Sequence, residues 1–338
     1  MKSIYKLIKL NRIIRSHRLK YLGVLVADIL GMRHLFIRLD PVNACNLKCS
    51  MCYFSDREYA KKIRGRFSTE DLDRIAGLLF PNTLQLVIGC AAEPTLYKNY
   101  IDLVLLAKKY GVPFVGLTTN GQLIDEDQAR ALVDSGLDEI TLSLHGVVRD
   151  SYEDFMVNAD YAKFHELLSH LTTWKSRSEH RGPDVRINYT VNANNLPELK
   201  DFFKHFGEYS INTLQIRPMV DVGHTSFPHQ PMSPSTRDQY SDIIKSLQTE
   251  CKDRGIVLLA TKDDPNFTSY DKGTSYILPA VLRTVHPNKV WMPDFDWRKE
   301  SYREFCKRIG WRTILLRTII GRKEHFKKVN HYLTYDVE

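Results

Sequence analysis

The chain is predicted to be an α/β protein built on a parallel sheet, and three observations carry that prediction. Short apolar or alternating runs recur along the middle of the sequence, separated by amphipathic stretches of ten residues or more. Stretches of that length are what a right-handed crossover between parallel strands needs. The residues with the richest chemistry fall directly after the strand candidates, where sheets of this kind keep their binding sites.

Taken in order, Leu35–Asp40 reads as the first strand. Ser68–Phe80 opens with a hydroxyl cap and an acidic first turn and reads as a helix. Leu84–Gly89 holds the run Leu86-Val87-Ile88 expected of a strand buried on both faces. Asn99–Tyr110 is the next helix, Phe114–Thr118 the next strand and Asp125–Ser135 the helix after it. Glu139–Leu144, Val185–Val191 and Thr213–Met219 complete six strands, and a helix over Thr236–Arg254 closes the unit. Three segments are expected: a basic amphipathic N-terminal segment (1–32), a core (33–225), and a C-terminal extension (226–338) covering the core and basic at its end. Gly223–Pro234, rich in Pro, His and Ser, reads as a linker or an active-site loop. Tyr270–Trp297, with Trp291 and Trp297 beside Asp294 and Asp296, either lines the substrate end or covers an open side, and covering is the reading adopted.

The most specific motif is Cys45-x-x-x-Cys49-x-x-Cys52. It places three thiolates on one loop and supplies no fourth. A cubane iron–sulfur cluster takes four ligands, so three leave one iron open to a substrate or cofactor. A structural zinc site wants four closed ligands, commonly as two separated pairs, and no second pair is present. A disulfide framework is not needed in a chain of this length. Cys90, Cys251 and Cys306 stand alone and cannot build a further cluster.

The segment Asp40-Pro-Val-Asn-Ala-Cys-Asn-Leu-Lys-Cys-Ser-Met-Cys-Tyr-Phe resembles the signature loop of the radical S-adenosylmethionine (SAM) enzymes. The resemblance continues through Ala91-Ala92-Glu93-Pro94, Thr119-Asn120-Gly121 and Ser143-Leu144-His145-Gly146, each after a strand candidate, and covers about residues 33 to 225. It implies a partial (β/α)6 radical SAM barrel. It also implies a [4Fe-4S] cluster that reductively cleaves SAM to a 5′-deoxyadenosyl radical, which abstracts hydrogen from an organic substrate, small molecule or peptide. An electron donor such as flavodoxin or ferredoxin is implied with it.

Residue by residue, the resemblance implies that Cys45, Cys49 and Cys52 ligate the cluster. Met51 and Met219 lie against the adenine, and Glu93 with the backbone around Ala92 receives the SAM ammonium. Ser143 hydrogen-bonds the ribose or carboxylate, Asn192 the ribose hydroxyls. Asn120 belongs to the same cofactor-binding set, while Thr119 faces substrate or SAM. Each has a plainer reading: Glu93 a loop residue, Thr119-Asn120-Gly121 a turn that tolerates positive φ, the two methionines core filler. The sequence departs from the family where alanines replace two glycines before Glu93, which reduces backbone freedom there. His145 is structural or faces the substrate.

With 338 residues, 43% of them hydrophobic, the chain can bury a substantial core. Cysteine usage fits a reducing compartment, and the cytoplasm is the expected location. Residues 1–40 carry nine Lys/Arg against two Asp/Glu and residues 297–338 eleven against five; a total of +8 therefore leaves the intervening segment net negative. Ile4, Leu7, Ile8, Ile14 and Leu22, and again Trp311, Ile314, Leu315, Ile319 and Ile320, are spaced as helix faces among basic residues. Such ends either lie on an anionic membrane surface or pack on the barrel with their cations solvated, and packing is the reading adopted. Tyr21–Leu30 is too short to span a membrane, and no A-x-A cleavage pattern follows it. Two other functions fit parts of the pattern. An RNA-modifying enzyme of the same superfamily would use the basic ends for phosphate contacts, and a non-enzymatic iron–sulfur sensor or scaffold would need the cysteines alone.

Overall fold

Nine strands form one sheet in the computed structural model, which describes residues 13–14, 16–178, 182–228, 230–261, 277–292 and 294–321. In chain order they are β1 (Leu35–Leu39), β2 (Thr83–Ile88), β3 (Phe114–Thr119), β4 (Glu139–Leu144), β5 (Asp184–Val191), β6 (Thr213–Pro218), β7 (Val257–Ala260), β8 (Leu282–His286) and β9 (Lys289–Val290). Their order across the sheet is β9-β8-β1-β2-β3-β4-β5-β6-β7. All neighbours are parallel except the β8/β9 hairpin. The six strands expected from the sequence therefore stand side by side in sequence order, as a partial (β/α)6 barrel wall.

Register explains why these runs pair. Leu39 lies opposite Ile88, Ile88 opposite Leu117, Leu117 opposite Ile140, and Ile140 opposite Val185. This row of aliphatic side chains is fully buried on the face that meets the helices. A one-residue slip of any strand would turn its members to the opposite face.

The helices supply the matching surface. On Thr69–Leu79 the buried residues are Leu72, Ile75, Ala76 and Leu79, one stripe of a 3.6-residue repeat, and Ser68 caps the helix by accepting from the Asp71 amide. On Glu126–Asp134 the stripe is Ala129, Leu132 and Val133, begun by a reciprocal capping box between Asp125 and Gln128. Each such aliphatic side chain contributes about 2 kcal/mol when removed from water. Helix Tyr161–Arg177 adds Phe164, Leu167, Leu168 and Leu171.

The C-terminal segment does more than cover. It extends the sheet at both margins: β7 pairs with β6, and β8 pairs with β1 on the opposite side. It also builds a core of its own around Arg283, which is fully buried. That guanidinium lies 4.0 Å from the ring centre of Trp291 and 5.0 Å from that of Trp311, and donates to the Ala280 carbonyl and the Tyr302 hydroxyl. Among its described contacts the cation meets π faces, a carbonyl and a hydroxyl. Trp297 packs edge-on against Phe67, and Arg298 lies over its ring.

The two ends meet. Helix His17–Ile29 packs on helix Trp311–Ile320, tied by Arg312 Nε to Asp28 Oδ2 at 2.7 Å. Trp311 and Leu315 are buried as a packing face requires, whereas Leu22, Ile314 and Ile320 are exposed. Ile4, Leu7 and Ile8, with Lys6, Lys9, Arg12 and Arg15, lie outside the described residues, as do Arg322, Lys323 and residues 270–276. Among the described residues no helix is long and apolar enough to cross a membrane.

Candidate functional site

The carboxyl ends of β1 to β6 gather the residues that the sequence singles out. The cysteine loop leaves β1 and is pinned from several sides. Lys48 and Ser50 donate backbone N–H bonds to the carbonyls of Val157 and Phe155, Leu47 donates its amide to Cys45 Sγ at 3.4 Å, and the Cys52 amide donates to the Cys49 carbonyl. All three thiols are free and partly buried.

Burial pushes the Cys45 thiol up to about 12, and Glu93 and Cys52 add to the shift. Burial also raises Cys49 well above its ordinary value, and Cys45 and Cys52 add to the shift. Cys52 is raised by burial and pulled back by amides that follow it in the loop. Among the described residues no group of three such side chains is arranged to hold a single metal ion. Three desolvated thiols on one loop, with N–H donors at Cys45 and Cys52, suit instead a centre of several metals that takes thiolates, whose positive charge offsets the cost of burying them.

Beside them stands the loop after β2. Its turn is made at Gly89, whose φ of +79° lies in the left-handed region; a Cβ there would meet the Thr118 carbonyl oxygen at 2.2 Å. Ala91 and Ala92 need no such freedom, being absent from the positive-φ residues of the described chain. The glycines expected there are dispensable because the sharp turn falls at Gly89.

Two carboxylates fix this loop. Asp40, at the end of β1 and 2% exposed, accepts three consecutive amides on one oxygen: Cys90 at 2.8 Å, Ala91 at 3.1 Å and Ala92 at 3.2 Å. Burial raises its pKa, and the three N–H bonds pull it part of the way back. Tyr53 Oη donates to the Ala91 carbonyl, and the Glu93 amide donates to the Ala44 carbonyl. Glu93 itself is buried, and its carboxylate accepts from the Thr95 amide and hydroxyl, the Thr119 hydroxyl and the Asn120 amide. The side chain is therefore engaged by protein donors and joins the β2 and β3 loops. Thr119, buried between Glu93 and the Gly121 amide, is part of that joint.

Asn120 reaches the cysteine loop directly. Its side-chain amide donates to Asn46 Oδ1 at 2.8 Å and lies 3.8 Å from Cys45 Sγ. On the other flank, Met51, Met219 and Phe155 form a small buried cluster covered by Phe227. Asn192 Nδ2 lies 3.1 Å from Met51 Sδ, while its side-chain oxygen accepts the amides of Asn194 and Asn195. The structure thus brings Met51, Asn192 and Met219 together, although they are far apart in sequence. Ser143 sits on β4 opposite Asn188 of β5, on the face away from Leu142 and Leu144, and its hydroxyl makes no hydrogen bond among the described residues.

Sequence reasoning gave Asp40 no role and read the loop after β6 as a linker or an active-site loop. The Phe227 amide donates to the Ser50 carbonyl, Ser226 to Ser55 Oγ, and His224 stacks on Tyr59 at 4.1 Å, so the described part of this loop closes on the cysteine loop. The Pro/His/Ser composition signalled a loop, but nothing local to it named its partner.

His145 follows β4. Its Nδ1 is buried without a hydrogen-bond partner, and burial together with Arg217 lowers its pKa to about 4. A histidine with a folded pKa below its unfolded 6.5 contributes stability that is present above pH 6.5 and is lost as pH falls toward 4. Thermal unfolding of the cluster-free chain should show this loss, at most about 3 kcal/mol, and His145→Gln should flatten it. An identical pH profile in the variant would show that His145 is not held neutral.

Comparison with known proteins bears on the family and the fold. A family model described as the radical SAM superfamily matches residues 39–216. A probable GTP 3',8-cyclase of Saccharolobus solfataricus is 28% identical over 195 residues, covering 56% of this chain and 59% of that relative. One from Sulfolobus acidocaldarius is 23% identical over 198 residues, covering 58% and 59%. The matched part thus spans under two thirds of these relatives. Among solved structures, Streptococcus suis SuiB bound to S-adenosylmethionine superposes with a TM-score of 0.56 at 18% identity, covering 80% of this chain and 62% of that one. At that identity the likeness is one of fold.

Proposed function

Because this chain belongs to the radical SAM superfamily, an enzyme family whose cofactors are a [4Fe-4S] cluster and SAM, we propose that it abstracts a hydrogen atom from an organic substrate held below the cysteine loop. When bound, the cluster supplies one electron to the sulfonium of SAM, whose cleavage yields methionine and the adenosyl fragment that takes the hydrogen. Everything else falls to the residues of the chain.

Cys45, Cys49 and Cys52 are the proposed ligands, and Asn120, beside Cys45, stabilises its thiolate by N–H donation. The backbone at Ala92 receives the ammonium of SAM. Asp40 takes the three amides of this loop and so fixes the direction of its carbonyls. Glu93 receives the ammonium with that backbone: its Oε1 takes three of the hydrogen bonds that brace the loop, and its Oε2 takes only the Asn120 amide. Met51 and Met219 give the adenine two polarisable, buried contacts, and Asn192 offers its amide to the ribose. Ser143, with no partner among the described residues, is assigned to the ribose or carboxylate.

The observation that carries this reading is the convergence of Met51, Asn192 and Met219 directly beside the cysteine loop. A sensor that held only a cluster would have no use for it. Enzymes of this family need a reductant, and a flavodoxin or ferredoxin in the cytoplasm is the proposed donor. Adding SAM to the reduced, anaerobically reconstituted protein should change the electron paramagnetic resonance spectrum of its cluster. The change should weaken in Asn192→Ala and Met219→Ala; a spectrum indifferent to SAM in the wild type would remove the cofactor pocket from the account.

A further inference from the structure

Helix His17–Ile29 is apolar on two sides, and only one of them has a partner among the described residues. Tyr21, Val24 and Leu25 face inward and are buried. Leu19, Leu22, Val26 and Ile29, spaced three, four and three apart, form a second stripe that faces solvent. The neighbouring helix Trp311–Ile320 repeats this: Trp311 and Leu315 are buried while Leu316 and Ile320, one turn apart, point outward. These six outward side chains are between 44% and 78% exposed. Elsewhere large exposed apolar residues such as Leu105 and Leu123 stand singly, as on ordinary protein surfaces. A grouped set on two packed helices is a docking surface.

Charge indicates what docks. Arg18 and Arg317 are exposed beside the stripes. The sequence leading into the first helix carries Lys2, Lys6, Lys9 and Arg12 with no acidic residue, and the sequence leaving the last carries Arg322, Lys323, Lys327 and Lys328 against Glu324, Asp336 and Glu338. An apolar stripe beside Arg18 and Arg317, in a chain whose flanking sequence is rich in lysine and arginine, matches a bilayer surface, where side chains of this kind enter the acyl boundary while lysine and arginine meet anionic headgroups. A protein partner of such chemistry would have to present an apolar groove rimmed by acids, whereas a membrane offers both on any orientation. The helix is too short to span, so the contact is peripheral.

We propose that helices His17–Ile29 and Trp311–Ile320 form a single face that binds the surface of an anionic membrane, holding the barrel against it. The inference is independent of the cofactor reading, because it uses no residue of the cysteine loop or its pocket.

The test is vesicle flotation of the anaerobically reconstituted full chain with phosphatidylcholine alone and with phosphatidylcholine and phosphatidylglycerol in equal parts. The chain should float with the anionic vesicles, bind the neutral ones far more weakly, and lose binding as salt is raised. Leu22→Glu/Val26→Glu, and separately Leu316→Glu, should lower partitioning about tenfold or more. These side chains are exposed, so circular dichroism and cluster content should match the wild type. Unchanged flotation of both variants, no binding to anionic vesicles, or equal binding to both compositions would each overturn the proposal. So would a wild-type dimer, seen by light scattering and split by the same substitutions, that ignores vesicles; the stripe would then be an interface between two copies. The SAM-dependent spectrum recorded on the same preparation reports separately on the cofactor reading.

Discussion

Cys49→Ala should leave a folded chain that cannot hold its cluster. Cys49 is the middle member of the loop, and its thiol sits between the other two in charge as well as in sequence, being raised by both Cys45 and Cys52. With alanine there, two thiolates remain, and no other cysteine stands in the loop to replace the third; Cys90, Cys251 and Cys306 belong to other parts of the chain. Cluster assembly needs deprotonated thiols, and burial makes that unfavourable unless the metal's full charge is shared by all three. After anaerobic reconstitution, iron, sulfide and the broad visible absorption should fall to background. Cys306→Ser, with its thiol in the C-terminal helix Tyr302–Arg308, should reconstitute like the wild type. A full complement of iron and sulfide in Cys49→Ala would sink the ligand assignment.

The second large effect belongs to Asp40. Removing its carboxylate leaves the amides of Cys90, Ala91 and Ala92 without their acceptor in a buried place. Hydrogen bonds to a charged group contribute about 1.5 to 3 kcal/mol each and are not additive here, because one oxygen takes all three. Asp40→Ala should therefore destabilise the protein by about 3 kcal/mol, measured by denaturant unfolding. It should also raise the SAM concentration needed for the spectral change by about tenfold or more, which is 1.4 kcal/mol of affinity. The cluster itself should remain, since the cysteine loop has its own tethers at Phe155 and Val157. Asp40→Asn keeps an acceptor oxygen and should recover part of the response. If stability falls while the response to SAM is unchanged, Asp40 is only a structural fastening and the alignment of Ala92 does not depend on it.

The contrast between Cys49 and Asp40 shows what the sequence makes legible. Cys49 announces itself through spacing, since ligands on one short loop are neighbours in sequence as well as in space. Asp40 has its partners fifty residues away, and a single aspartate after a strand looks like any turn residue. The same distinction runs through the fold. Strands β1 to β6 are readable because a buried face demands an apolar residue at every second position, as in β1 and β5, and burial of both faces a near-continuous run, as in β3. The strand Val257–Ala260 lies at the margin with Val257 46% exposed and Leu259 alone buried, and four residues leave no periodic signal. The strand Leu282–His286 contains Arg283, a residue that reads as solvated until three aromatic side chains from later in the chain enclose it.

Glu93 teaches a related point. Its position after β2 matches the family pattern, and a carboxylate there reads naturally as a partner for an ammonium. The structure gives its Oε1 to Thr95 and Thr119 and its Oε2 to the Asn120 amide, so the same carboxylate also braces the loops after β2 and β3. Nothing in the local sequence distinguishes an acid that meets a ligand from one that anchors the loop that does. The ends of the chain carry a third ambiguity, because an amphipathic helix looks the same whether its apolar face meets protein or lipid. Here the helix His17–Ile29 has two apolar stripes, and only the structure shows that one of them remains uncovered.

The central claim is that the three thiols and the pocket at Met51, Asn192 and Met219 work on one SAM molecule. The most direct measurement is the release of 5′-deoxyadenosine by the anaerobically reconstituted, reduced protein on addition of SAM. The account predicts its formation in the wild type, dependent on reductant, and its loss in Cys49→Ala. An intact, reduced cluster that yields no 5′-deoxyadenosine from SAM would contradict it.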